Sequence, residues 1–135
     1  MKKILLFLFI ATLTISCDDD SIDLQSKFVN IVVKQNDWVV NTDADGLNKF
    51  YSCKLDMPEI SSLIFNSGSL FTYVVLDNAQ QVLPYVRHYE NKNGDIWTRT
   101  VDCDYSVKNM TIYVTNSDFA DDIPGTMNFR VVLMW

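Results

Sequence analysis

Short apolar segments separated by turn-forming residues place the strongest limit on what this chain can fold into. The segments are rich in β-branched and aromatic residues, which favour strands. The residues between them are mostly aspartate, asparagine and glycine. Of the 17 acidic residues 15 are aspartate, which disfavours helix interiors and strands. The segments are residues 28–34, 38–40, 47–57, 70–76, 82–90, 96–105, 109–115 and 127–135.

About seven short strands at intervals of roughly ten to fifteen residues predict an all-β antiparallel sandwich of two sheets. Parallel α/β folds are excluded because the chain has too few helical stretches. Segments 28–34 and 127–135 carry apolar residues at successive positions, so both of their faces are expected to be buried. No sequence period of about 20 to 50 residues indicates a repeat fold.

One short helical turn is predicted after the third segment. Asp56 occupies the position of an N-terminal cap, and Glu59 follows three residues later. Ile60, Leu63 and Ile64 then recur at helical spacing.

A β-hairpin is predicted from residues 82–90 and 96–105. Asn93-Gly94 is the preferred pair of a two-residue type I′ turn. Such an even loop directs Val86, Val101 and Cys103 inward. The outward face then carries Tyr85, Arg87, Tyr89, Thr98 and Thr100.

That outward face is the candidate ligand face. Tyrosines framed by hydroxyl groups and a guanidinium suit stacking on a sugar or anchoring a protein partner. The alternative is ordinary strand composition, because tyrosine and threonine favour sheets in any case.

Two cysteines, Cys53 and Cys103, share a strand face with apolar neighbours and are therefore expected to point into the core. A disulfide between them would close a loop of about fifty residues and stabilise the fold by about 4 kcal/mol. Two separate buried thiols are the alternative. The spacing of the cysteines matches no metal-binding or redox motif.

The start of the chain has the layout of a secretory signal. Lys2 and Lys3 precede an apolar run over residues 4–15, and small Ser16 precedes Cys17. The run is too short to span a bilayer comfortably, since about twenty apolar residues are needed. The chain is therefore expected to fold outside the cytosol.

Residues 14–17, Thr-Ile-Ser-Cys, resemble the lipobox of bacterial lipoproteins, although leucine is usual where Thr14 stands. The resemblance implies cleavage before Cys17 and a diacylglycerol on its sulfur. Residues 18–20, three aspartates, resemble the surface-export signal of Bacteroidota lipoproteins. An aspartate there also resembles the inner-membrane retention signal of enteric bacteria, and a solvated acidic linker is the plain alternative. Residues 20–22, Asp-Ser-Ile, resemble that phylum's O-glycosylation motif, with Ser21 as acceptor.

Residues 28–135 resemble, in the spacing of their apolar and proline positions, the small Bacteroidota lipoproteins of unknown function. This resemblance implies an immunoglobulin-like sandwich of about seven strands and brings no assigned activity. The expected organisation is a signal peptide at residues 1–16, a lipidated cysteine with an acidic tether at 17–27, and one domain at 28–135. The expected location is the outer membrane, lipid-anchored at the cell surface, with a periplasm-facing orientation as the alternative.

Charge and motif content exclude several function classes. The chain has 11 basic and 17 acidic residues, and removal of Lys2 and Lys3 leaves 9 against 17, a net charge of −8. Such a balance repels nucleic acid. The sole histidine, His88, has no nucleophile at a catalytic spacing, and the four glycines form no phosphate-binding loop. No enzyme activity and no cofactor are predicted.

A calcium site is the weak metal candidate. Asn41, Asp43 and Asp45 precede Gly46 as in the first half of an EF-hand loop, but Ser52 stands where a bidentate glutamate is required. An ordinary turn is the favoured interpretation.

Taken together, the sequence predicts a lipid-anchored, non-catalytic envelope lipoprotein that acts as a structural or protein-interaction module. The competing hypothesis is a glycan-binding accessory lipoprotein that uses the Tyr/Thr face of the hairpin.

Overall fold

Nine strands in two antiparallel sheets make up the fold in the computed structural model, which describes residues 24–119 and 122–135. The predicted all-β sandwich is confirmed, with two strands more than expected. In chain order the strands are β1 (Ser26–Val33), β2 (Val39–Thr42), β3 (Lys49–Asp56), β4 (Ser69–Leu76), β5 (Ala79–Val82), β6 (Tyr85–Glu90), β7 (Ile96–Ser106), β8 (Asn109–Asn116) and β9 (Met127–Met134).

Sheet A contains four strands in the order β1-β9-β4-β5, and sheet B contains five in the order β2-β3-β8-β7-β6. The consecutive pairs β3–β4 and β8–β9 each cross from sheet B to sheet A, so that β3 lies beside β8 and β4 beside β9. Immunoglobulin domains interlock their central strands in the same way. Here, however, the first strand pairs with the ninth within one sheet. In immunoglobulin domains the first and last strands belong to different sheets.

The core lies between the inner faces of the two sheets. Sheet B contributes Val101, Ile112 and Val114, and sheet A contributes Phe129 and Val131. All five are at most 1% exposed. Buried and less buried residues alternate along the whole of β8, as expected for a strand with one face toward a core.

Strand β1 departs from its sequence prediction. Val33 is buried and Val29 and Ile31 are half-buried, but Phe28 is 63% and Val32 57% exposed. The expected burial on both faces is therefore wrong. The reason is that sheet A is an outer layer, so only its inner face meets another sheet.

The helical turn begins later than predicted. Helix α1 (Ser62–Ser67) is capped by Ser61, whose Oγ accepts a hydrogen bond from the backbone N–H of Ile64 at 3.2 Å. Glu59 instead lies 3.6 Å from the Nζ of Lys27. A short 3₁₀ helix (Gln35–Asp37) links β1 to β2. Within residues 24–119 and 122–135, no helix has both the length and the apolar character needed to cross a membrane.

Candidate functional site

The loop of the β6–β7 hairpin differs from the predicted type I′ turn. Glu90 pairs with Ile96, and the backbone N–H of Asn91 donates to the carbonyl of Asp95 at 3.0 Å. The N–H of Gly94 donates to the Asn91 carbonyl at 3.1 Å, and Gly94 has φ +86°. These features describe a three-residue loop in which a type I turn is followed by a left-handed glycine. The hairpin is confirmed, but its loop is odd rather than even.

The side chain of Asn91 holds this loop. Its Oδ1 accepts hydrogen bonds from the N–H groups of Asn93 at 2.8 Å and Asp95 at 3.0 Å, and its Nδ2 donates to the Asp95 carboxylate at 2.8 Å. An asparagine that bonds the backbone two residues ahead supports a turn starting at its own position. The turn therefore starts one residue earlier than a type I′ turn centred on Asn93-Gly94 would start.

The odd loop shifts the strand register by one residue and exchanges the two faces of β6. Tyr85 pairs with Val101 and is 5% exposed, whereas Val86 is 49% exposed. The predicted ligand face is thus split between the two sides of sheet B, and its prediction as one surface is wrong. The inner side carries Tyr85, Arg87 and Tyr89, and the outer side carries Thr98 and Thr100. On that outer side, the Nδ1 of His88 lies 2.9 Å from the Oγ1 of Thr98.

On the inner face, the hairpin brings together a group that we call the Tyr–Trp–Arg cluster. The Tyr89 and Trp97 rings stack with their centroids 5.6 Å apart and their planes at 18°. The Arg99 guanidinium carbon lies 5.4 Å from the Tyr89 ring centroid, and that of Arg87 lies 5.5 Å from the Tyr85 ring centroid. These are cation–π distances. The cluster consists of Tyr85, Arg87, Tyr89, Trp97 and Arg99.

The two guanidinium groups of the cluster differ in their surroundings. The Nε of Arg99 donates to Asn116 Oδ1 at 2.9 Å, and its Nη2 lies 3.4 Å from Asp122 Oδ2. Arg87 is exposed, and no salt bridge to it occurs within residues 24–119 and 122–135. Burial, followed by a hydrogen bond with Tyr89, raises the pKa of Tyr85, while both guanidiniums act to lower it. Tyr85 therefore stays a neutral phenol.

The two cysteines both face inward, as predicted, but they do not form a disulfide. Cys53 and Cys103 each pair with Ile112, one from either side of β8. Two strand spacings separate their Cα atoms by about 10 Å, and a disulfide requires less than about 7 Å. Both thiols are free. Burial raises the pKa of both, and so keeps them protonated.

Two of the three proposed calcium ligands make hydrogen bonds with neighbouring residues. Asn41 lies in β2, and its Nδ2 donates to the Ser52 Oγ and to the Val39 carbonyl. The Asp43 carboxylate accepts from the backbone N–H groups of Leu47 and Asn48 and from the Asn48 side chain. Desolvation raises the pKa of Asp43, but these hydrogen bonds outweigh it and lower the pKa. Asp45 lies in the turn that follows.

Asp43 thus stabilises a turn, which is the interpretation that the sequence favoured. Among the residues that the structure describes, no three or more His, Cys, Asp or Glu side chains form a group that could hold a metal ion. The predicted lipidation at Cys17 and the O-glycosylation at Ser21 lie outside the described residues.

The structure shows a second exposed surface, on sheet A, that the sequence pattern does not identify. On the outer side of sheet A, Phe28, Val132 and Phe71 lie in one row across β1, β9 and β4. Phe28 is 63% and Phe71 42% exposed. Val32 and Val82 are also exposed on this side. We call these five side chains, together with Arg130 in the neighbouring row, the sheet A patch.

The signal for this patch was present in the sequence. Segments 28–34 and 127–135 carry apolar residues at successive positions, a pattern that predicts burial on both sides. A pattern of this kind states only that both faces are apolar, and one apolar face can equally be exposed.

Comparisons of the chain with protein-family models, with curated proteins and with solved structures gave no match.

Proposed function

We propose that this chain is the folded domain of a lipid-anchored envelope protein and acts without catalysis as a protein-interaction module. The observation that supports it is the sheet A patch. Large apolar side chains in one exposed row, as Phe28, Val132 and Phe71 are, mark a contact with another molecule more often than scattered ones do. Large apolar side chains such as Phe28 and Phe71 are the usual anchors of such contacts.

The partner is a different protein with an acidic group, as the position of Arg130 indicates. Arg130 pairs with Asn30 on one side and Tyr73 on the other, and its Nε donates to Asn30 Oδ1 at 3.2 Å. The guanidinium therefore lies in the row next to Phe28 and Phe71. If two copies of the chain met through this face about a two-fold axis near its centre, their Arg130 side chains would come close together. Like charges at an interface oppose association, and an acidic partner removes that cost.

The lipid anchor is part of the proposal. Eight residues lie between Cys17 and Ser26, so the tether between lipid and sandwich reaches at most about 30 Å. Strand β1, which carries Phe28 and Val32, directly follows this tether. The patch would then face partners close to the membrane. Acylation of Cys17 is checked by the mass of the N-terminal peptide of the native protein, and surface display by protease treatment of intact cells.

Site-specific photocrosslinking in the native host tests the interaction. A photoreactive amino acid at position 71, within the patch, should form one dominant crosslinked species. The same residue at position 54, where Lys54 is exposed on the outer face of sheet B, is the matched control and should not form it. Arg130→Glu should reduce the yield at position 71 at least tenfold, and Lys54→Glu should not.

Equal crosslinking from positions 71 and 54 would show that the patch is not a docking surface. A crosslinked species that contains only a second copy of this chain would contradict the argument from Arg130. Retention of the full yield in Arg130→Glu would do the same.

A further inference from the structure

We infer that the Tyr–Trp–Arg cluster is a binding site for an acidic sugar, a pyranose that carries a carboxylate or a sulfate. The site lies on the hairpin of sheet B, whereas the sheet A patch lies on the outer side of the other sheet. It is therefore independent of the proposed protein partner. Three features of the cluster support this inference: the two facing guanidinium groups, the aromatic rings, and the fixed position of the Arg99 side chain.

The two facing guanidinium groups of the cluster favour the binding of an anion. Arg87 and Arg99 are directly opposite each other on adjacent strands. Facing side chains in such a pair have their Cβ atoms about 5 Å apart, and like charges in this position are destabilising. Asp122 lies 3.4 Å from Arg99, but its side chain is 68% exposed, so that the pair is a weak one.

Acidic residues outnumber basic ones in this chain, so the placement of Arg87 opposite Arg99 is informative. It contains 17 acidic residues against 11 basic ones, yet no described carboxylate forms a salt bridge with Arg87. Where a protein places like charges opposite each other in this way, the position is often a functional site. A carboxylate or sulfate of a ligand would bridge the two guanidiniums, because arginine binds such groups through two parallel N–H donors.

The aromatic rings specify the rest of the ligand. The C–H face of a pyranose is weakly positive and packs on the negative face of an aromatic ring. Trp97 is only half-buried and lies beside Tyr89, two residues along β7 from Arg99. A sugar ring on the indole would therefore bring its acidic substituent within reach of the guanidiniums.

Part of the site is already ordered for binding. Arg99 is held by Asn116 and stacked on Tyr89, and its side chain is 19% exposed. Ordering a long side chain at the moment of binding costs affinity, and a guanidinium that is fixed in advance avoids this cost. Arg87, in contrast, is exposed and can adjust to the ligand.

Calorimetric titration of the full chain in detergent tests the inference. The ligands are a hyaluronan hexasaccharide, which carries carboxylates, a chondroitin sulfate hexasaccharide, and the carboxyl-reduced hyaluronan hexasaccharide as the neutral match. At least one acidic ligand should bind at least tenfold more tightly than the neutral one, and its affinity should fall as salt is raised. Arg87→Gln should weaken that binding about tenfold, which corresponds to the loss of one charged hydrogen bond.

Lys54→Gln is the matched control, because it removes one positive charge from the outer face of sheet B, outside both proposed sites, and should leave the affinity unchanged. Circular dichroism establishes that both variants are folded. No binding of either acidic ligand would overturn the inference, as would equal binding of the neutral ligand. An equal loss in Arg87→Gln and Lys54→Gln would also overturn it, because the effect would then be one of net charge.

Discussion

Replacing Gly68 with alanine should destabilise the sandwich, because backbone atoms already occupy the space that a β-carbon needs. A β-carbon at this position would lie 2.6 Å from the carbonyl oxygen of Met134 and 2.9 Å from the Cα of Ile64. Neither atom can rotate away as the end of a side chain could. The φ angle of Gly68 is −93°, which any residue adopts, so the expected penalty comes from crowding alone.

The size of the effect follows from what must move. The end of β9 and the last turn of α1 approach each other at Gly68, and relieving the contact displaces one of them. Inserting a carbon into a packed site of this kind typically costs about 1–3 kcal/mol. For a domain of this size about 1 kcal/mol corresponds to roughly 4 °C in Tm. We therefore expect Tm to fall by about 4–12 °C.

Thermal unfolding followed by circular dichroism measures this difference, and Gly125→Ala supplies the matched control. A β-carbon at Gly125 meets no atom within 4 Å, and its φ is not left-handed. That variant should stay within about 0.5 kcal/mol of the parent chain. If Gly68→Ala and Gly125→Ala unfolded at the same temperature, the packing described between α1 and β9 would be refuted.

Three further predictions concern the core and the thiols. Phe129→Ala should lower the free energy of unfolding by about 3–5 kcal/mol, because Phe129 is 1% exposed. Phe28→Ala should change it by less than about 0.5 kcal/mol. Denaturant titration measures both variants, and equal losses would contradict the described exposure. Thr72→Val should stabilise the fold by about 1 kcal/mol, since the buried Oγ1 of Thr72 has no partner among the described residues stronger than the Cys103 thiol, which bonds weakly; a lower denaturation midpoint would show that this hydroxyl is satisfied. Alkylation in denaturant without reductant should label both Cys53 and Cys103, and a protein that gains label only after reduction would contain the bridge that we reject.

The strands could largely be predicted from the sequence because their signal is local. Alternating and β-branched runs identify β1, β4, β8 and β9 within a few residues. Strand β5 (Ala79–Val82) was missed because Ala-Gln-Gln-Val has little apolar character, and all four residues are exposed. Such an edge strand is formed by pairing with β4 rather than by its own composition.

The hairpin shows how one side chain decides a binding face. Asn93-Gly94 favours a type I′ turn on its own, but the Asn91 side chain accepts hydrogen bonds from the backbone N–H groups of Asn93 and Asp95 and starts the turn earlier. The resulting shift of one residue moved Tyr85 into the core and placed Arg99 opposite Arg87. Tyr85, Arg87 and Tyr89 of the cluster could thus be predicted, but Trp97 and Arg99, which face them across the hairpin, could not.

Strand order limits what can be predicted for the cysteines. Alternation along each strand correctly placed Cys53 and Cys103 on the inner face. Whether they are neighbours depends on which strand lies between β3 and β7, and nothing local to either cysteine records that β8 does. Long-range pairing of this kind is a property of the whole sheet.

The position of β9 within sheet A has a consequence for biosynthesis. It lies between β1 and β4, so two of the other three strands of that sheet pair with the strand that the ribosome makes last among the nine. Until it is complete, β1 has no partner in the sheet, and the core lacks the fully buried side chains of Phe129, Val131 and Leu133. A nascent chain that has not yet reached β9 is therefore expected to stay largely unfolded. Chaperones that bind unfolded chains are expected to bind it in that interval. A chain truncated before the final strand should be degraded by proteases rather than fold as a smaller domain.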